Sequence, residues 1–216
     1  MELISNCKIC NSPTEELLDK QMKVTYDVCQ KCDFISKQEA YHLSEEDEHG
    51  RYSLHNNFPD NEGYVNIFNN MIDIHVRTLK NVKKVLDFGC GPYPTLKILL
   101  ERLDYKVSIY DPYFEKDLAY RNQKYDLITT TEVIEHMVDP IKELSHMLSL
   151  LDDKGYLLIM TLFREMDQER FLTWWYRRDR THISFFNETT FKFIQDKFDL
   201  VEVSNNNKNI IVFQKK

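Results

Sequence analysis

Hydrophobic residues in this chain form short continuous runs that alternate with runs of helical spacing. The continuous runs predict buried strands at 84–88, 106–110, 125–130 and 156–161. Apolar residues three or four positions apart predict helices that begin near residues 67, 95, 139 and 187. Two final strands, at 201–204 and 210–213, flank an Asn-rich turn. The alternation predicts an α/β fold whose sheet ends in an antiparallel hairpin.

The first predicted strand, 84–88, leads into a glycine turn. Asp87 lies near its end, Gly89 and Gly91 follow, and a helical pattern begins after Pro94. A strand, a glycine turn and a helix N-terminus together form a place where a ligand can contact backbone amides. A dinucleotide fingerprint requires a third glycine where this chain has Pro94. The turn is therefore a poor match to the dinucleotide fingerprint, while a nucleoside-methionine cofactor stays open.

Residues 85–91, VLDFGCG, resemble motif I of the class I S-adenosylmethionine-dependent methyltransferases. Two further segments match that family in order and spacing: 108–112, a strand ending in an acid, and 125–136, a strand continuing into EVIEH. The resemblance covers residues 80 to 200 and implies a Rossmann-like sheet with helices on both faces. Between its second strand and the strand that matches 125–130, the family usually has a helix and a further strand. Only the short segment 114–124 is available for them here, so we expect that further strand to be short or missing.

The resemblance also implies where S-adenosylmethionine binds. The expected cofactor-binding residues are Asp87, Gly89, Cys90, Gly91, Asp111, Pro112, Thr131 and Glu132. The glycines would let backbone approach the methionine portion, and Asp111 would accept hydrogen bonds from the ribose hydroxyls. Asp87 would hold the turn or the amino group of the cofactor. The alternative for Asp87 and Asp111 is turn chemistry alone, because Asp-Pro is a common turn.

Three residues are candidates for catalysis: Glu132, His136 and His182. Glu132, Glu135 and His136 resemble a cluster that can hold a divalent metal near the acceptor oxygen in quinol O-methyltransferases. The simpler interpretation, which we favour, is a helix start whose polar groups are satisfied locally. His182 lies in THISFF, which is similar to a segment in one branch of the family; it would orient or deprotonate the acceptor, or be purely structural.

The segment 170–186 combines arginines with aromatic residues where the family commonly builds its substrate wall. From Arg170 to Arg180 it holds four arginines and one acid, which favours an anionic acceptor. Trp174, Trp175 and Tyr176 are expected to pack over the core rather than to stack on nucleic-acid bases. His55 and Tyr64 are expected to form a lid over the cofactor.

Four of the five cysteines form two Cys-x-x-Cys pairs, Cys7/Cys10 and Cys29/Cys32, with eighteen residues between the pairs. This is the spacing of a tetrathiolate zinc site, and four thiolates leave no open position, so the zinc would be structural. Disulfides or scattered core cysteines are the alternative. Asn11 and Asp33 follow the pairs and tolerate the left-handed backbone that such turns need. We expect the metal to fold the first forty residues.

Composition limits the remaining possibilities. The net charge is −7, from 28 basic and 35 acidic residues. This charge disfavours electrostatic binding of nucleic acid over a large surface, without excluding it. The sequence shows no signal-peptide pattern and no membrane-spanning run, so a cytoplasmic protein is expected. We divide the chain into a zinc ribbon (1–40), a helical connector and lid (41–80) and a methyltransferase domain (81–216).

The sequence therefore predicts an S-adenosylmethionine-dependent methyltransferase that acts on a small, anionic acceptor. Ribosomal RNA methyltransferases and sugar C-methyltransferases can have the same zinc-plus-methyltransferase arrangement. The former are usually more basic, and the latter usually carry a further domain. A non-catalytic protein that uses its ribbon to recruit a partner is the alternative from another class. The oligomeric state and the acceptor atom stay open.

Overall fold

A six-stranded mixed sheet forms the centre of the computed structural model, which describes residues 5–52, 60–164 and 167–216. Its strands are β4 (Lys84–Phe88), β5 (Lys106–Tyr110), β6 (Tyr125–Thr131), β7 (Leu151–Met160), β9 (Leu200–Asn205) and β10 (Ile210–Lys215). Their order across the sheet is β5-β4-β6-β7-β10-β9. The first four are parallel, and β10 pairs antiparallel with both β7 and β9. The predicted α/β fold with a terminal hairpin is confirmed.

The described residues contain six α-helices, most of which begin at a side chain that caps them. They are α1 (Glu45–Tyr52), α2 (Glu62–Met71), α3 (Thr95–Glu101), α4 (Pro140–Leu150), α5 (Gln168–Thr173) and α6 (Glu188–Lys197). The Asp139 carboxylate accepts from Lys142 N before α4, and the Asn187 side chain accepts from Thr190 N before α6. The helix predicted from residue 67 is present but begins earlier, and it continues after Met71 as one π-helical segment, Ile72–Val76.

The strand expected to be short or missing between residues 114 and 124 is missing. A single bridge joins Asp111 to Glu115, and a 3-10 turn, Leu118–Asn122, leads directly to β6. Residues 111–124 therefore connect β5, on one side of β4, to β6, on the other side, without an intervening strand or α-helix. The winding of the sheet reverses between β4 and β6, which is where ligands bind in open α/β sheets.

A second, four-stranded sheet contains the N-terminal residues. It consists of β1 (Thr14–Asp19), β2 (Val24–Cys29), β3 (Ile35–Lys37) and β8 (Ser184–Phe185), in that order. The last of these comes from the segment after β7, so the ribbon shares its sheet with residues 184–185. Tyr26 and Ile35 are fully buried and belong to the same apolar cluster as Phe171 and Phe185. The first forty residues thus fold against the predicted substrate wall.

Apolar side chains on both faces of the central sheet pack into two clusters. One cluster includes Phe68, Met71 and Ile72 from α2 and the π-helical segment. The helical spacing of apolar residues from position 67 predicted this packing, but Ile67 itself is exposed. The other joins α4 and α6 to the cysteines of the ribbon and to Phe34. Within the described residues, no helix has the length and apolar character needed to cross a membrane.

Candidate functional site

The glycine turn after β4 has the backbone that only glycine adopts easily. Gly89 has φ +88° and Gly91 has φ +66°. A Cβ atom on Gly89 would lie 2.3 Å from Val133 Cγ2, whereas a Cβ on Gly91 would meet nothing within 4 Å. Gly89 N donates to Tyr110 O at 2.7 Å, which ties the turn to the end of β5. The first glycine is therefore required by packing, and the second by backbone conformation.

Asp111 holds the loop after β5 against the glycine turn. Its side chain is buried, with 7 % of its surface exposed, and Oδ2 accepts from Gly91 N at 3.0 Å. Oδ1 accepts from Tyr113 N at 2.9 Å and from Phe114 N at 3.1 Å. The turn chemistry that was the alternative interpretation is thus present. Oδ2 has a second lone pair, so the same carboxylate can also accept from a ligand hydroxyl.

Asp87 lies inside the sheet at the end of β4. It is 2 % exposed, and Thr129 Oγ1 donates to its Oδ1 at 3.1 Å. Burial raises the pKa of Asp87 to about 7, and the nearby Asp111 carboxylate adds to the shift, while the Thr129 hydrogen bond opposes it. A cationic group at this edge of the sheet would stabilise the ionised form of Asp87.

The end of β6 places the third predicted segment beside the turn. Thr131 is half-buried, and Glu132 follows with φ +56°, a conformation rare for a residue with a side chain. Glu132 N donates to Met160 O at 2.7 Å, which holds this bend against β7. Val133, next in the chain, is the residue that fills the space beside Gly89. Glu132 is therefore the immediate neighbour of the residue that packs on the glycine turn.

Tyr176 joins the two glutamates of the EVIEH segment. Its hydroxyl lies 2.9 Å from Glu132 Oε2 and 2.6 Å from Glu135 Oε1. The hydroxyl has one proton, so it donates to one carboxylate and accepts from the other only when that carboxylate is protonated. Desolvation and repulsion from Glu135 raise the pKa of Glu132 to about 8, although Glu132 still reaches solvent. Burial also raises the pKa of Glu135, which is fully buried.

Two histidines lie beside Glu135 with matching hydrogen bonds. His136 Nδ1 is 3.0 Å from Thr181 O, and His182 Nδ1 is 2.8 Å from Tyr176 O. Each carbonyl oxygen accepts a hydrogen bond from the Nδ1–H group of its histidine. Nε2 of each ring therefore carries no proton and has a free lone pair. The ring centroids are 4.9 Å apart. Burial lowers the pKa of His136, and it lowers that of His182 to about 3, so both rings are neutral.

Glu135, His136 and His182 each offer a ligand atom, and these three atoms lie within 4.8 Å of one another. Glu135 Oε2 is buried and has no hydrogen-bond partner among the described residues. A neutral histidine whose Nδ1 binds a carbonyl is the usual form of a metal-ligating histidine. The two histidines that the sequence suggested separately are thus brought together by the fold, with Glu135 between them. The donor set fits a divalent cation.

The four cysteines of the ribbon also come together. Cys7 Sγ lies 3.5 Å from Cys32 Sγ, Cys10 Sγ lies 3.4 Å from Cys29 Sγ, and all four sulfurs are within 4.8 Å of one another. Sulfurs at the corners of a tetrahedron around zinc lie about 3.8 Å apart. Asn11 and Asp33 have φ +59° and +57°, the left-handed backbone that the sequence predicted. The cluster fits a tetrathiolate metal site.

The segment predicted to form the substrate wall lines a cavity of about 960 Å³. Phe171, Trp174 and Trp175 line it together with Arg170 and Lys208. Trp174 also packs against Tyr176, with ring centroids 5.0 Å apart, so the cavity adjoins the residue that binds Glu132. Trp175 is 66 % exposed, contrary to the expectation that the aromatic residues all pack over the core.

Arg177 has a structural role in this wall. It is fully buried and lies 3.0 Å from Asp19, which is 2 % exposed. Its guanidinium also donates to Gln21 Oε1 at 2.8 Å and to Leu172 O. This arginine therefore links the wall to the ribbon, and of the arginines from 170 to 180 only Arg170 lines the cavity.

The structure groups the predicted cofactor-binding residues along one edge of the sheet. Cys90 is half-buried in the turn, and Pro112 is exposed next to Asp111. Tyr64 packs on Phe68 at the start of α2, with ring centroids 4.7 Å apart, whereas His55 lies outside the described residues. Tyr176 was not predicted as a site residue. Its only signal was membership of an aromatic run, which does not distinguish one ring from the next.

A mixed sheet whose parallel strands carry a glycine turn and buried carboxylates at the switch point defines a Rossmann-like fold. The chain belongs to the methyltransferase-domain family, whose model matches residues 65–205. This family is that of the S-adenosylmethionine-dependent methyltransferases, which agrees with the resemblance found in the sequence motifs. No curated protein sequence matches the chain.

Solved structures support the fold. An O-methyltransferase family protein from Burkholderia thailandensis is 15 % identical over 82 % of this chain, with a TM-score of 0.52. This chain spans 64 % of that protein. A SAM-dependent methyltransferase from Archaeoglobus fulgidus is 14 % identical over 70 % of this chain and 94 % of its own, with a TM-score of 0.52. The PH0226 protein from Pyrococcus horikoshii OT3 is 12 % identical over 77 % of this chain and 99 % of its own, also with a TM-score of 0.52.

Proposed function

We propose that this methyltransferase transfers the methyl group of S-adenosylmethionine to an oxygen atom of a small, anionic acceptor. The observation that carries the proposal is the contact between Gly89 and Val133. Through it, the glycine turn lies directly against the segment that contains Glu132, Glu135 and His136. A donor bound at the turn and an acceptor bound at these residues would be neighbours, as in-line displacement requires.

The cofactor would lie along the edge formed by β4, β5 and β6. Gly89, Cys90 and Gly91 would present backbone to its methionine portion, and Asp111 and Pro112 would face its ribose and adenine. Asp87 would stabilise the cofactor's amino group, because a nearby cation favours the ionised form of a buried carboxyl. Thr131 and Glu132 would border the transferred methyl group.

The acceptor side of the site would hold a divalent cation between Glu135, His136 and His182, with Glu132 beside it. Two imidazoles and one or two carboxylates are a suitable donor set, and the buried Glu135 Oε2 is left without any other partner among the described residues. A bound cation would lower the pKa of an acceptor hydroxyl and orient it. This revises the sequence interpretation, which favoured local satisfaction of these groups.

The chain's own residues would then position the reactants. Thr181 O and Tyr176 O fix the tautomer and orientation of His136 and His182. His182 would act as a ligand rather than as a base, since burial lowers its pKa to about 3, which makes its free Nε2 a weak proton acceptor. The Tyr176 hydroxyl would keep Glu132 and Glu135 together at a distance where two free carboxylates repel each other.

The acceptor class follows from the cavity beside Tyr176. Flat aromatic rings line it together with Arg170 and Lys208, so a planar or apolar body with an anionic substituent fits its chemistry. Its volume of about 960 Å³ is at the upper end of small-molecule sites, which run from about 300 to 1,000 Å³. We therefore favour a small acceptor over a nucleic acid.

The ribbon would bind one structural Zn²⁺ through Cys7, Cys10, Cys29 and Cys32. The sulfur distances support this, and the four thiolates would complete the zinc coordination shell. We keep the proposed division into a ribbon (1–40), a connector and lid (41–80) and a catalytic domain (81–216). The shared strand β8 indicates that the ribbon also shapes the acceptor wall.

Cation binding can be tested without knowing the acceptor. Mn²⁺ titrated into the zinc-loaded protein and followed by electron paramagnetic resonance should bind with a stoichiometry of one. Glu135→Gln and His182→Gln should each weaken binding by roughly 10- to 100-fold or more, the loss typical of altered metal surroundings. Glu202→Gln, at an exposed position of β9 outside both the cluster and the acceptor cavity, is the matched control. Equal Mn²⁺ affinity in all variants would contradict the proposed cation site.

A further inference from the structure

A second cavity, of about 430 Å³, lies on the ribbon and shares no lining residue with the methyl-transfer site. It is bounded by the turn between β1 and β2, the end of β3, residues 40–42 and Arg180. Its lining contains no acid, three cationic side chains (Lys23, Lys37 and Arg180) and one neutral histidine, His42. A concentration of positive charge of this kind stands out in a protein whose net charge is −7.

Lys37 is buried at the end of β3 with only 4 % of its surface exposed. Its Nζ donates to Arg180 O at 2.9 Å, and it forms no ion pair with a carboxylate among the described residues. Burial lowers the pKa of Lys37 to about 8, although Asp179 and Glu48 act at longer range to raise it. An ammonium has three N–H groups, so this buried charge still lacks the acceptors that would offset its desolvation.

Tyr26 supplies a second unused donor to the same cavity. It lies directly opposite Lys37 in the pairing of β2 with β3, and its side chain is fully buried. Its hydroxyl has no hydrogen-bond partner among the described residues. Burying a hydroxyl without a partner costs free energy of folding. A buried hydroxyl without a partner and a buried ammonium with a single acceptor, in one cavity lining, indicate that an acceptor-rich group is missing from this place.

Lys23 and Arg180 extend the positive charge to the surface. Both are exposed and line the cavity, so they can reach a charged group held near Lys37. His42 Nε2 lies 3.0 Å from Lys37 O, and burial lowers the pKa of His42, so this ring is neutral and adds no positive charge. The lining residues therefore offer cations and neutral donors to a ligand and include no acid, while Asp19, Asp179 and Glu48 act on Tyr26 and Lys37 from outside the lining.

We propose that this ribbon cavity binds the phosphate group of a small phosphorylated molecule. A phosphate provides several acceptor oxygens and close to two negative charges, which match Lys37, Tyr26 and the two surface cations. The volume of 430 Å³ lies within the range of small-molecule sites, about 300–1,000 Å³. The proposal does not depend on methyl transfer, because none of these residues belongs to the cofactor or cation sites.

The test is calorimetric titration of inorganic phosphate into the zinc-loaded full chain at pH 7, with chloride keeping the ionic strength constant. Saturable one-to-one binding is expected in the unmodified protein. Arg180→Gln should weaken it about tenfold, which corresponds to about 1.4 kcal/mol. Arg178→Gln is the matched control: this arginine is exposed in the same segment and does not line the cavity. Its phosphate affinity should stay within about twofold of the unmodified value.

Lys37 provides a readout that needs no variant of the protein. In the unmodified chain, the pKa of Lys37 measured by NMR should rise when phosphate binds, because a nearby anion favours the charged ammonium. Acetate should bind more weakly than phosphate. Absence of saturable phosphate binding, an unchanged Lys37 pKa, an equal loss in Arg178→Gln and Arg180→Gln, or acetate binding as tight as phosphate would each overturn the proposal. None of these results would bear on methyl transfer.

Discussion

The hydroxyl of Thr190 donates a 2.8 Å hydrogen bond to the carbonyl oxygen of Cys32, and both residues are buried. This bond ties α6, which packs on the central sheet, to the second cysteine pair of the ribbon. Arg164 reinforces the link, because its Nε donates to Asp33 O at 2.9 Å. The second cysteine pair is therefore part of the packing on the central sheet, and disruption of this pair should affect residues beyond the ribbon.

Removal of zinc should lower the stability of the whole chain. A chelator should release one zinc per chain and lower the unfolding temperature measured by calorimetry, because the four thiolates lose the ion that holds them. Thr190→Val should lower the unfolding free energy by about 1 kcal/mol with zinc present, since it removes one buried hydrogen bond. A chelated protein that unfolds at the original temperature would show that the cysteines do not form a structural metal site.

The two glycines of the turn should respond differently to the same substitution. Gly89→Ala should destabilise the protein by several kcal/mol and abolish cofactor binding, because its Cβ would lie 2.3 Å from Val133 Cγ2. In Gly91→Ala the new Cβ would contact no other atom, so the unfolding free energy should fall only by the cost of a positive φ, about 1 kcal/mol. Chemical denaturation of both variants measures the difference. Val133→Ala added to Gly89→Ala should restore part of the loss, and failure to do so would contradict the contact.

Asp87 should make the stability of the cofactor-free protein depend on pH. Its pKa is about 7 in the folded chain and 3.8 in the reference state, so between these values the folded state holds a proton that the unfolded state has lost. Stability therefore falls as pH rises from about 4 to 7, by at most about 4 kcal/mol. Asp87→Asn should flatten this part of the profile and raise the unfolding temperature at pH 8. A profile in the variant that falls as steeply as before would exclude Asp87 as the cause.

The same variant should bind S-adenosylmethionine more weakly. The amide of Asp87→Asn would keep a partner for Thr129 but would carry no charge to stabilise the cofactor's amino group. Thr129→Val is the control, because it removes the hydrogen bond to Asp87 and leaves the carboxyl in place. We expect a larger loss of affinity in Asp87→Asn than in Thr129→Val, measured by calorimetry. The reverse order would assign Asp87 a role in the turn alone.

Tyr176→Phe should separate the two glutamates without removing either. The variant loses the hydroxyl that lies 2.9 Å from Glu132 and 2.6 Å from Glu135, so the carboxylates should repel each other more strongly. We expect weaker Mn²⁺ binding, by roughly tenfold, with little change in S-adenosylmethionine affinity. Trp175→Phe, at an exposed ring of the same segment, should change neither. Unchanged Mn²⁺ binding in Tyr176→Phe would show that the tyrosine does not support the cation site.

Features coded over short stretches of sequence could be predicted. The strand Lys84–Phe88 occurs with the predicted bounds, because a continuous apolar run before a glycine turn has few other solutions. The left-handed backbone of Asn11 and Asp33 was also predicted, since this conformation is set locally by the turn that follows each cysteine pair. The missing strand between 114 and 124 followed from the shortness of this segment compared with the family that the sequence resembles.

Features that depend on contacts between distant residues could not be predicted. The pairing of β3 with β8 joins residues about 150 positions apart, and two-residue strands leave no periodic signal. In the sequence, Arg177 is one of the arginines that favour an anionic acceptor, but in the structure Arg177 forms a buried ion pair with Asp19. The meeting of Glu135, His136 and His182 likewise required the fold, because α4, β7 and α5 separate His182 from the other two along the chain.

The central claim is that S-adenosylmethionine binds where Asp111 faces the glycine turn. Calorimetric titration of the cofactor into the zinc-loaded protein measures this directly, with Asp111→Asn as the variant and Asp117→Asn as its control. Asp117 caps the next turn of the chain in the same way, by accepting from Ala119 N. We predict one-to-one binding that weakens at least about tenfold in Asp111→Asn and stays unchanged in Asp117→Asn. No binding by the unmodified protein, or equal affinity in both variants, would contradict the account.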